Sequence, residues 1–65
     1  MRITLKVYGK EKDVETNYET IEDLVRNEGM NPESFLVKRN GNFVPAEESL
    51  TNGDEIELIN IVSSG

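Results

Sequence analysis

The side chains that could do chemistry in this 65-residue chain are few, and their spacing supplies no catalytic set. Ser34, Ser49, Ser63 and Ser64 need a general base to become nucleophiles, and the chain contains no histidine to serve as one. Cysteine is absent too, which removes disulfide stapling, thiol chemistry and the usual zinc or haem ligands. Lys10 and Lys12 flank Glu11 in a stretch that reads as solvated charge. Glu47 and Glu48 are adjacent acids and, with Asp54, Glu55 and Glu57, suggest a cation site. The Asp-x-Asn-x-Asp-Gly pattern of a calcium loop is missing, however, and no metal site is expected. Gly41 and Gly53 stand singly in turns rather than in a phosphate-binding glycine loop. The sequence points away from an enzyme in its own right.

The elements around these residues follow from periodicity. Arg2 to Tyr8 alternates, with Ile3, Leu5 and Val7 on one side and Arg2, Thr4, Lys6 and Tyr8 on the other, the pattern of a half-buried strand. Gly9 to Lys12 reads as a polar reversal, and a weaker strand follows from about Asp13 to Tyr18, the pair making a hairpin. Thr20 opens a helix: its hydroxyl can accept from the backbone N–H near Asp23, while Glu22 and Asp23 suit the positive end of the helix dipole. Ile21, Leu24 and Val25 form the buried stripe, and Gly29 is a natural stop. Phe35 to Arg39 predicts a third strand. Asn40-Gly41 is a favoured tight turn, Asn42 to Val44 is a short fourth strand stopped by Pro45, and Leu50 is a lone apolar plug. Glu55 to Val62 is the last strand. One sheet crossed by one helix is the economical way to bury these stripes, and a sheet holding both chain ends in its middle would position the segment after Val62.

Length and charge bound the rest. A chain this short is one domain, expected over residues 1–62 with a flexible 63–65 tail, and it buries only about 60% of its unfolded surface. That leaves little room for an enclosed site. Thirteen acids against seven bases give a net charge of -6, which argues against a nucleic-acid backbone as partner and suits a basic protein surface, or simply solubility. No apolar stretch approaches the roughly 20 residues that span a bilayer, and nothing reads as a signal peptide, so a cytoplasmic protein, monomeric when free, is expected.

The end of the chain carries the most information. Asn52-Gly53-Asp54-Glu55-Ile56-Glu57-Leu58-Ile59-Asn60-Ile61-Val62-Ser63-Ser64-Gly65 resembles the closing segment of the ThiS and MoaD sulfur-carrier family: a Gly-Asp turn, a mainly apolar last strand and a small-residue ending in glycine. Val37-Lys38-Arg39-Asn40-Gly41-Asn42-Phe43-Val44-Pro45 is similar to that family's hairpin. Length favours ThiS-like members. The resemblance implies an α+β, ubiquitin-like β-grasp fold, with a mixed sheet of four to five strands and one helix across it. It implies a carrier that binds no cofactor itself. Its C-terminal carboxylate, on Gly65, is adenylated by a ubiquitin-activating-type adenylyltransferase using ATP and converted to a thiocarboxylate. The sulfur then goes to an acceptor synthase, either thiazole synthase in thiamine biosynthesis or the molybdopterin synthase large subunit in molybdenum-cofactor biosynthesis. Ser64 departs from the family's Gly-Gly ending.

These residues suit that chemistry. A free α-carboxyl, with a pKa of about 3.3–3.7, is an unreactive anion near neutrality, and adenylation makes it an acyl electrophile. Gly65 has no Cβ, so its backbone can enter a narrow channel, and Ser63 and Ser64 are small enough to follow. An ordinary frayed terminus is the alternative. Strand parity suggests a second site. With Ile56 and Leu58 inward, Glu57, Ile59 and Ile61 face outward, and Ile59 and Ile61, with Phe43 adjoining, make an apolar strip for docking a partner, rimmed by Glu47, Glu48 and Glu57. A bulge at Asn60 would instead turn Ile61 into the core. Two other functions stay open: a ubiquitin-like modifier conjugated to lysines, and a non-catalytic β-grasp interaction module.

Overall fold

The computed structural model describes residues 1–61; Val62, Ser63, Ser64 and Gly65 lie outside the described residues. Strand β1 (Arg2–Val7) buries Ile3 and Leu5 and leaves its polar side outward. It pairs antiparallel with β2 (Lys10–Glu15). This hairpin is tighter than the expected reversal over residues 9–12. Only Tyr8 and Gly9 turn the chain, both at positive φ (53° and 74°), so Val7 faces Lys10 and β2 starts and ends about three residues early. Two-residue turns with positive φ match the right-handed twist of paired strands. The pairs Arg2↔Glu15 and Lys6↔Glu11 place opposite charges across the ladder, which supports a strand with almost no apolar face. A tyrosine in the left-handed region costs roughly 1–2 kcal/mol.

Helix α1 (Ile21–Asn27) is short, about two turns, and its ends are well made. The Thr20 hydroxyl accepts from the Asp23 N–H at 3.3 Å, as the sequence predicts. At the other end Gly29, at φ 84°, donates to the Arg26 carbonyl while the Met30 N–H reaches the Val25 carbonyl, the paired bonds of a Schellman cap. Ile21, Leu24 and Val25 are fully buried against the sheet. A helix this short is marginal alone and is held by that packing. Lys12 of β2 also pairs with Glu28 at 2.5 Å. Pro32 opens a short 3-10 turn, Pro32–Ser34, capped by Asn31.

β3 (Phe35–Arg39) and β4 (Asn42–Val44) flank the Asn40-Gly41 turn as expected. β5 (Glu55–Asn60) lies between β1, to which it is parallel, and β3, to which it is antiparallel. The five-stranded order β2-β1-β5-β3-β4 puts the first and last strands inside the sheet. One helix on one face of this mixed sheet is the α+β, β-grasp arrangement. β5 runs to Asn60, opposite Phe35 where β3 begins, and the Ile61 N–H then donates to the Ser34 carbonyl at 3.0 Å; the expected end of the strand at Val62 lies outside the described residues. The core joins Ile3, Leu5, Ile56, Leu58, Phe35 and Val37 of the sheet to the helix stripe, with Leu50 plugging it from the loop.

Candidate functional site

The face of the sheet opposite α1 is divided in two. On the β1–β2 side its residues are polar: Arg2 pairs with Glu15 at 3.5 Å, and the Thr4 hydroxyl donates to Asp13 Oδ1 at 3.3 Å. On the β5–β3–β4 side the register brings apolar residues together. Ile59 stands opposite Leu36, and Lys38 is opposite both Glu57 and Phe43. Leu36 is 45% exposed, Ile61 49% and Phe43 61%, while Ile59 is half-buried between its neighbours. Leu36 and Phe43 line a shallow depression with Pro45. The Lys38 ammonium lies 4.9 Å from the Phe43 ring centroid, a cation–π contact that covers part of the aromatic face.

Of the residues singled out in the sequence, Ile59, Phe43 and Glu57 therefore share this face. Asn60 keeps register with Phe35, so the strand carries no bulge there, and Ile61 is exposed rather than core. Glu47 and Glu48 do not join Glu57 as a single rim. Their loop bonds the N-terminus of α1, through Glu22 N–H to the Ala46 carbonyl and Ile21 N–H to the Glu48 carbonyl. The Glu48 carboxylate meets the Arg39 guanidinium at 3.4 Å on the helix side of the sheet. Glu57 sits between Lys6 and Lys38 in the register, so its surroundings are mixed in charge rather than acidic. Leu36 completes the patch and was not legible in the sequence, because Phe35-Leu36-Val37 is uniformly apolar and hides its parity.

Ser63, Ser64 and Gly65 lie outside the described residues, which end at Ile61. Asn60 Nδ2 donates to the Tyr8 hydroxyl at 2.8 Å, and the Ile61 N–H is held by Ser34. Among the described residues no three acidic side chains converge on a point where a metal could sit. Asp54 is buried as a turn fastener, accepting from the Thr51 N–H at 2.9 Å and from Asn40 Nδ2 at 3.3 Å. No helix among the described residues is long and apolar enough to cross a membrane.

The profile of the ThiS family matches residues 3–65, almost the whole chain. The chain belongs to the ThiS family. Other likenesses of this ThiS-family chain are more distant in sequence. An uncharacterized protein of Archaeoglobus fulgidus is 28% identical, with all of both chains covered. SAMP1 from Haloferax volcanii superposes with a TM-score of 0.73 at 20% identity over all of both chains. A ubiquitin-like protein from Trypanosoma brucei gives 0.64 at 10% identity over 94% of each. A chain in the complex of subunits 1 and 2 of the molybdopterin-converting factor from Helicobacter pylori gives 0.62 at 19% identity over all of both. At these identities the structures establish a shared ubiquitin-like fold. Family and fold together support a sulfur-carrier or ubiquitin-like role, that of a carrier rather than a catalyst.

Proposed function

We propose that this protein is a sulfur carrier whose reactive group is the Gly65 carboxylate. A ubiquitin-activating-type adenylyltransferase joins that carboxylate to the α-phosphorus of ATP and releases pyrophosphate. A sulfur nucleophile then displaces AMP from the acyl-adenylate, and the resulting thiocarboxylate gives its sulfur to an acceptor synthase. Thiazole synthase and the molybdopterin synthase large subunit are the two candidate acceptors. The ThiS match carries the reading, because the likeness runs through residue 65 itself. The molybdopterin-converting-factor relative was solved as a two-subunit complex, which supports a synthase subunit as one partner. The patch of Leu36, Phe43, Ile59 and Ile61 is where such partners dock, since apolar residues grouped on an exposed sheet face mark interaction sites.

Intact mass spectrometry after incubation with ATP, a sulfur source and cell extract tests the proposal. An oxygen-for-sulfur mass change is expected. Adducts on lysines of other proteins would replace the reading with that of a modifier, and an unchanged mass would leave an interaction module. Ser64→Gly, which restores the family's Gly-Gly ending and frees the backbone, should keep or raise the rate of ATP–pyrophosphate exchange. Loss of exchange in that variant would count against the carrier.

A further inference from the structure

The two hairpin turns share a backbone geometry but not a choice of residue. Asn40 and Gly41 occupy one, at φ 51° and 88°. Asparagine tolerates the left-handed region because its short side chain bonds locally, and Asn40 Oδ1 accepts from the Glu55 N–H at 2.9 Å. The other turn sets Tyr8 at φ 53° before Gly9 at 74°. A bulky residue there is an outlier, and an outlier of this kind directs attention to what its side chain does.

Burial does not account for it, since Tyr8 is 68% exposed. Its hydroxyl accepts from Asn60 Nδ2 across 52 positions of sequence. Its ring meets Phe35 edge-on, with centroids 6.0 Å apart and planes at 65°. Phe35 is in turn the register partner of Asn60. On the β3 side, Ser34 holds the Ile61 N–H. Asn60 and Ile61 are thus held from the β1 side by Tyr8 and from the β3 side by Ser34.

We infer that Tyr8 is a positioning residue that fixes Asn60 and Ile61 at the end of β5. The inference rests on the carrier reading, because holding these residues matters only when a partner's catalyst must reach Gly65. With the Tyr8 contact in place Asn60 and Ile61 are held before binding; loosening it moves part of that ordering cost to the binding step, and affinity falls. The chemical step, performed by the partner on an already seated terminus, is unaffected.

The test is Tyr8→Phe, which keeps the ring against Phe35 and removes only the hydroxyl. Amide hydrogen exchange at Ile61 should rise about two- to fivefold, the size of one exposed hydrogen bond, with the melting temperature lowered by only a few degrees. In ATP–pyrophosphate exchange, KM for the carrier should rise by a similar factor while kcat holds. Unchanged Ile61 exchange would overturn the inference and leave Tyr8 as a packing residue. Faster Ile61 exchange with unchanged KM would overturn the positioning role while leaving the carrier reading intact. If the wild-type protein supports no exchange of pyrophosphate, the carrier reading fails and the positioning role fails with it, whatever Ile61 does.

Discussion

The two faces of the central sheet use the same residue types to opposite ends. Under α1, Ile56 and Leu58 of β5 are buried with Ile3 and Leu5 of β1. On the other face of the same strand, Ile59 is only half-covered, and Leu36, Phe43 and Ile61 around it stay open to solvent. Hydropathy does not distinguish the two sets. What separates them is parity in the strand and the presence of a helix over one side only. The covered face holds the fold together, and the open face is free to be selected for something else.

The sharpest break of this comparison is truncation on the covered side. Ile56→Ala removes a fully buried side chain beneath the helix and should cost about 2–5 kcal/mol, a large share of the stability of so small a domain. The urea midpoint should fall accordingly with little change in m. A loss under about 1 kcal/mol would mean that the two faces are not energetically distinct.

Next in size is Ile59→Asp on the open side. Stability should fall by no more than about 1 kcal/mol, since the position is half-exposed and stands opposite Leu36 on the open face. Binding to the activating enzyme, measured by calorimetry, should weaken about tenfold or more, as expected for a charge placed in the apolar centre of an interface. A variant that unfolds would show Ile59 to be core. One that folds and binds normally would remove the docking role from the patch.

Where strand parity was visible in the sequence, so was the fold. Arg2 to Val7 alternates cleanly because one side meets the helix and the other meets water. Thr20 and Asn40-Gly41 were legible because capping and tight turns are local chemistry. β2 was displaced because Lys10–Glu15 has no apolar period to read: an edge strand lying almost wholly in solvent takes its order from its pairing with β1, not from burial. The apolar strip on Ile59 and Ile61 was visible, but its completion by Leu36 depends on the β3–β5 register, which no local pattern encodes. The contact between Tyr8 and Asn60 was invisible for the same reason, since it joins two residues that only the parallel β1–β5 pairing brings together.

The smallest effect is expected on the polar half of the open face. Glu15→Gln removes the charge facing Arg2 across the β1–β2 ladder, where both side chains are about 70% or more exposed. Such a pair is screened by water and salt, so stability should change by less than about 0.5 kcal/mol, and added salt should erase the difference. Binding to the activating enzyme should be unaffected, because this half lies on the far side of β5 from Leu36 and Phe43. A loss of binding comparable to that of Ile59→Asp would show that the partner covers the whole open face. The apolar patch would then be one part of a larger footprint, and the division of that face by polarity would no longer mark where the partner stops.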